Sequence, residues 1–150
     1  MGISAVNESM GVTMLSRVAD SVYWMARYVE RAENLARLLL STQNLLLDAG
    51  AEGSDEAQFW GPILATTGDE AAYAAMYQGV RGRDVADFLV MRPDNPNSLL
   101  NSIRAARENA RTVRDQISNE MWECLNALRL FAESPEGAVM WRGQSAAFYE

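Results

Sequence analysis

From Ser21 to Leu40 the chain reads SVYWMARYVERAENLARLLL, with apolar residues recurring at the period of an α-helix. At 3.6 residues per turn, Val18, Met25, Val29, Ala32, Ala36 and Leu39 share one arc, which Trp24, Tyr28 and Leu35 extend. That arc asks for burial. The opposite arc collects Tyr23, Arg27, Glu30, Arg31, Asn34 and Arg37, so the charges form a stripe. Within it Glu33 and Arg37 stand at i,i+4 and Arg27 and Glu30 at i,i+3, each pair contributing roughly 0.2–0.5 kcal/mol. Arg17 projects onto the apolar arc beside Trp24 and Tyr28, where a guanidinium needs a carboxylate, a carbonyl or an aromatic face.

The same reading extends along the chain. Residues 1–13 form an unpatterned leader, expected to be disordered, and 14–150 a single helical domain. Thr13 is the expected N-cap of a first long helix reaching Asp48. DAGAEGSDEAQ reads as an acidic loop, and a short helix over Gln58 to Ala65 ends near Gly68. DEAAYAAMYQG, between Asp69 and Gly79, and RDVADFLVM are two more short helices, the latter stopped by RPDNPNS. There Pro93 breaks the preceding helix, Asn95 can cap the next one, and Pro96 suits a first helical position. A second long helix runs from Pro96 to Glu133, with Ile103, Ala106, Ala110, Val113, Ile117, Met121, Leu125 and Leu128 as its buried stripe. SPEGAVMWRGQSAAFYE reads as a loop and the start of a further element. No alternating β-branched run competes. The fold class is therefore all-α, a helical bundle with two long amphipathic helices and several short connecting helices.

Composition excludes several functions. A chain of 150 residues with 49% hydrophobic content can close one core, and a net charge of −7 argues against a general nucleic-acid binder. There is no histidine, so the usual general base and the commonest metal ligand are missing, and bundle di-iron sites built on Glu-x-x-His are ruled out. A carboxylate-only magnesium site has no positive support, and neither metal nor cofactor is expected. Cys124, the one cysteine, projects onto the face of Ala106, Ile117 and Leu128 and reads as a buried packing residue. The N-terminal residues lack the basic and apolar regions of a secretory signal, and no apolar run approaches the roughly 20 residues of a membrane span. A cytoplasmic location without membrane contact is expected.

Two constellations could carry chemistry. Arg104, Arg107, Arg111 and Arg114 lie within a quarter of the second long helix's circumference, flanked by Glu108 and Asp115. They can hold an anion through bidentate forks, or be a solvated face tied to acidic partners on a neighbouring helix. Asn109 and Glu120 project near the apolar side of that helix, where polar groups are either paired or line a cleft. Glu30, Glu33, Glu108 and Glu120 with the arginines, walled by Trp24, Tyr28 and Trp122, can form a polar network between helices, which serves either register or recognition. Gly79 and Gly82 fit no phosphate loop, and Trp60, Tyr73, Tyr77 and Phe88 are spaced for packing.

MLSRVADSVYWMARYVERAENLARLLL at 14–40, TGDE at 67–70 and DNPNSLLNSIRAARENARTVRDQISNEMWECLN at 94–126 closely resemble the N-terminal half of the bacterial alpha-E domain family. The resemblance implies an all-helical cytoplasmic protein without a settled activity. Family members are typically encoded beside a circularly permuted ATP-grasp protein and a transglutaminase-like protease, neighbourhoods that suggest peptide or amide-bond synthesis and modification. The pattern falls on Leu15, Ser16, Arg17, Tyr23, Trp24, Arg27, Tyr28, Glu30, Arg31, Glu33 and Asn34, and on Asn95, Asn97, Ser98, Arg104, Arg107, Glu108, Asn109, Arg111, Arg114, Glu120 and Trp122. Members usually run to about twice this length, so the chain is read as a fragment or a reduced form, with a site that the missing half or homodimerisation would complete.

The expectation is a non-catalytic helical subunit or scaffold acting with an ATP-grasp-type ligase. The rivals are a carboxylate-based transferase or ligase component, with Glu30 or Glu108 as acid or base and the arginines on an anionic substrate, and a purely structural helical fragment.

Overall fold

The computed structural model describes residues 3–48, 57–142 and 149. Among them the chain is wholly helical apart from turns: α1 (Ile3–Asp48), α2 (Ala57–Thr67), α3 (Glu70–Ala74), α4 (Gly82–Val90), α5 (Leu99–Thr112), α6 (Asn119–Glu133) and α7 (Pro135–Arg142). The all-α class stands. α1 begins at Ile3, so Thr13 lies inside the helix and not at its N-terminus. The acidic loop falls outside the described residues except at its ends, and the segment after Ser134 enters α7.

α1 is the axle of the bundle, and its most extensive contact is with α5. Leu35 and Leu39 of α1 join Trp60, Ile63 and Leu64 of α2, Tyr73 of α3, Val85, Phe88 and Leu89 of α4 and Leu99, Leu100 and Ile103 of α5 in the main core. Phe88 is fully enclosed, with Tyr73 and Tyr77 edge-on to it, as the aromatic spacing predicts. A second, smaller core unites Met25 of α1 with Ala106 and Ala110 of α5 and Leu125 of α6, bordered by Tyr28, Ile117 and Trp122. The small side chains of Ala106 and Ala110 leave room for Met25 between the helices.

The second long amphipathic segment is divided. α5 ends at Thr112, Val113 turns out of the helix with φ −122° and ψ 29°, and a new helix starts behind Ser118. The Ser118 hydroxyl accepts the Met121 N–H at 3.2 Å, satisfying one of the orphan donors of a fresh N-terminus. Val113 stays buried and Ile117 packs on the second core, so both ends of the turn are anchored inward. α6 then runs back antiparallel along α5, with Arg114 beside Asn119 and Arg104 beside Glu133.

This break resets the helical phase. Leu125 and Ala132 are buried and Trp122, Asn126 and Arg129 half-buried, whereas Met121 and Leu128 face outward. Cys124 is exposed, which overturns its reading as a packing residue. On α1, Trp24 and Val29 are also exposed, because α5 and α6 cover a narrower arc than the apolar pattern offers.

The link between α4 and α5 also departs from expectation. Ser98, not Asn95, caps α5, accepting the Asn101 N–H at 3.3 Å, and Pro96 stays in the turn. Asn95 is buried at the centre of that turn. Its Nδ2 donates to the Phe88 carbonyl at 3.2 Å, and its Oδ1 accepts the Asn97 N–H at 2.8 Å in an Asx-turn.

Candidate functional site

The residues that α1 spaces at i, i+3, i+4 and i+7 from Arg27, namely Glu30, Arg31 and Asn34, line one wall of a recess of about 600 Å³. Leu35 and Leu38 continue that wall, while Thr66, Thr67, Asp69 and Asn97 close it from the other side. The opposing wall is set by the end of α2. Gly68 takes φ +75°, the Gly68 N–H bonds to the Ala65 carbonyl at 3.2 Å and the Asp69 N–H to the Leu64 carbonyl at 2.9 Å, a Schellman ending. Asp69 is thereby turned inward and is only 3% exposed.

A relay of side chains joins the walls. Arg31 Nη1 donates to Asn97 Oδ1 at 3.1 Å, and Asn97 Nδ2 donates to Asp69 Oδ1 at 3.1 Å. The Asx-turn at Asn95 holds the Asn97 backbone in place. Asp69 Oδ2 is buried and has no hydrogen-bond partner among the described residues. Such an atom is costly in a folded core unless water or a ligand meets it. Arg31 also lies over the Tyr28 ring, 5.6 Å from its centroid, and Arg27 pairs with Glu30 at the rim.

The arginines of α5 make a separate arrangement, a seam with α6. Arg104 Nε meets Glu133 at 2.6 Å, and Arg129 holds the other oxygen of that carboxylate at 2.6 Å. Arg107 Nε donates to Asn126 Oδ1 at 3.0 Å, and Arg114 to Asn119. Arg107 and Arg114 both lie over Trp122, at 4.9 and 5.6 Å from the ring centroid. Glu108 is bound by Arg107 at 2.7 Å and Arg111 at 2.9 Å, and the Arg107 hydrogen bond, followed by that of Arg111, holds its carboxyl below the usual glutamate range.

Other residues of the sequence pattern join neither group. Glu33 pairs with Arg37 at 2.6 Å on the surface, and Asn109 donates back to the Ala105 carbonyl at 2.9 Å. Glu120 sits in the first turn of α6, its carboxyl lowered by its own backbone N–H and then by the Ser118 hydroxyl. Arg17 is exposed, with no buried carboxylate or aromatic face engaged among the described residues, and Tyr23 stacks edge-on against Trp24 in solvent. Asp69, Thr66 and Thr67 were not expected at a site, although Thr67 and Asp69 stand in the TGDE motif. No three metal-ligating side chains gather among the described residues, and no helix there is long and apolar enough to cross a membrane.

Residues 14–150 match the model of the Alpha-E family, described as a predicted alpha-helical domain with a conserved ER motif. Glu30-Arg31 is the one Glu-Arg step in the chain, which places that motif on the recess. Uncharacterised proteins of Mycobacterium bovis and Mycobacterium tuberculosis are 34% identical to the chain over 120 residues, 73% of this chain and 14% of theirs. The chain thus spans about a seventh of the length of those relatives. No solved structure matches it.

Proposed function

We propose that this chain, which belongs to the Alpha-E family, is a non-catalytic helical subunit or scaffold acting with an ATP-grasp-type ligase in peptide or amide-bond synthesis or modification. One observation carries the reading: α1 leaves an aromatic pair uncovered. Tyr23 is 57% and Trp24 47% exposed, their rings edge to face with centroids 5.3 Å apart, and Leu15, Val22 and Val29 are exposed elsewhere around the same helix. An exposed aromatic pair suits a protein-binding surface, where Tyr and Trp are the favoured residues. The family's gene neighbourhood names the partner, with a transglutaminase-like protease as a further candidate.

The carboxylates support a non-catalytic role. Glu108, fixed between two arginines with its carboxyl lowered, is poorly suited to be a general acid, which needs its proton, and as a base its oxygens are already engaged by Arg107 and Arg111. Glu30 is exposed and already engaged by Arg27. The arginine seam likewise has internal partners, so docking through Arg104 and Arg111 has less in its favour than docking through Tyr23 and Trp24.

Co-purification of the chain with the neighbouring ATP-grasp-type protein tests the proposal. The double substitution Tyr23→Ala and Trp24→Ala is expected to abolish capture while circular dichroism stays helical. Capture that survives the double substitution, or homodimerisation through the pair on light scattering in place of capture, refutes this assignment of the surface.

A second reading, a transferase or ligase component holding an anionic substrate, is favoured by Arg27 and Arg31 standing together on the recess. It requires stabilisation of the chain by acidic ligands in a thermal-shift screen.

A further inference from the structure

The recess is polarised, and its polarity specifies a ligand class. At the α1 side stand guanidinium donors. Arg31 uses Nη1 on Asn97 and is steadied by the Tyr28 ring, which leaves further N–H groups for a bidentate contact. Arg27, beside it, is engaged by Glu30 at the solvent edge.

The opposite side offers acceptors. The Thr66 hydroxyl donates its proton to the Pro62 carbonyl at 2.8 Å, and the Thr67 hydroxyl donates to the Leu64 carbonyl at 3.2 Å. Each hydroxyl therefore keeps only lone pairs for a third party. Between them and Asn97 lies the buried Asp69 carboxylate with its unpartnered Oδ2. Leu35 and Leu38 supply an apolar stretch of wall.

Two arginines and two carboxylates line the space, so its formal charge is zero in a protein of net charge −7. A simple anion would meet Asp69 and Glu30, and a simple cation would meet Arg27 and Arg31. A ligand bearing both charges satisfies each side. We propose that the recess binds a zwitterion, a free α-amino acid or a short peptide with free termini. Its carboxylate lies on the Arg31 fork, its ammonium on Asp69 with Thr66 and Thr67, and its aliphatic part against Leu35 and Leu38.

Oδ2 is covered by its surroundings, so receiving the ammonium requires the Asp69 side chain to shift toward the Thr66 and Thr67 hydroxyls while Oδ1 keeps its Asn97 contact. The volume, about 600 Å³, lies within the roughly 300–1,000 Å³ usual for small-ligand sites and accommodates a short peptide as well as a single residue. In this assignment Arg31 of the ER motif is the carboxylate clamp, and Glu30 restrains Arg27 at the rim. The inference stands on the recess alone and is independent of the ligase partnership.

Thermal shift and calorimetry on the whole chain test it, with alanine, leucine, dialanine and trialanine as zwitterions. Acetate, N-acetylalanine, propylamine and alanine amide serve as singly charged controls. The zwitterions are expected to raise the melting temperature and the controls to leave it unchanged; free residues against peptides show which source fits. Asp69→Asn keeps an oxygen for Asn97 but removes the charge, and should weaken binding by about tenfold or more, as should Arg31→Gln. Silence of every zwitterion, equal binding of the controls, or unchanged affinity in Asp69→Asn with a native melting temperature would each overturn the proposal. Since Asp69 is remote in role from the Tyr23–Trp24 pair, loss of ligand response with retained partner capture separates this proposal from that of the docking surface.

Discussion

Replacing Asn95 with alanine removes two hydrogen bonds from the interior of the α4–α5 turn. Asn95 is 1% exposed, and its side chain serves both the Phe88 carbonyl and the Asn97 N–H, at 3.2 and 2.8 Å. The Phe88 carbonyl belongs to the last turn of α4, where helical partners run out, and the Asn97 N–H precedes α5. Neither group gains a substitute from a methyl side chain. Each orphaned buried group costs about 1–3 kcal/mol, so the expected loss is about 3 kcal/mol. Against a total of roughly 5–15 kcal/mol this is a large fraction, and the melting temperature should fall by on the order of 10 °C. Urea denaturation measures it directly: the midpoint should drop while the slope with denaturant stays constant. Because Asn97 then loses its anchor, the Arg31–Asn97–Asp69 relay should loosen as well, and a zwitterion's affinity should fall with stability. A loss below about 0.5 kcal/mol, the scale of surface substitutions, would refute the assignment of the turn's rigidity to this side chain.

Gly68→Ala should cost about 1–2 kcal/mol in a denaturation curve, because φ +75° is left-handed and no neighbouring atom stands within 4 Å to add a clash; a neutral result would show that the Schellman ending does not need glycine. Glu108, with a folded value below its ordinary 4.5, contributes stability that is present above 4.5 and is lost as pH falls through the depressed value. A carbon-detected NMR titration should find it below the ordinary glutamate value, and Arg107→Gln with Arg111→Gln should bring it back up; an unmoved titration would place the cause elsewhere. Cys124, exposed on α6, should react with a thiol reagent in the native protein as fast as in denaturant, and protection in the native state would return it to a buried face.

The helical class, the inward positions of Met25, Ala32, Leu35 and Leu39, the aromatic core around Phe88 and the glycine turns at Gly68 and Gly79 were all readable from the chain. Each depends on the residue's own conformational preference or on a neighbour within a turn of helix. The ion pairs Arg27–Glu30 and Glu33–Arg37 were readable for the same reason. Tertiary structure decided the features of longer reach. The break between Thr112 and Asn119 shows no proline or glycine. It arises because Ser118 caps a new helix while Val113 and Ile117 anchor inward, and the six intervening residues shift the phase that would have buried Cys124 and Leu128. Trp24 faces solvent because α5 and α6 cover less of α1 than its pattern allows. Asn95 reads locally as a cap, yet packing draws it inside to hold Phe88 and Asn97. Asp69 acquires its meaning from Asn97, 28 residues away, and through it from Arg31, 66 residues from Asn97. Periodicity tells which face of a helix is apolar; only the packed chain determines how much of that face is covered and which polar groups meet across the gap.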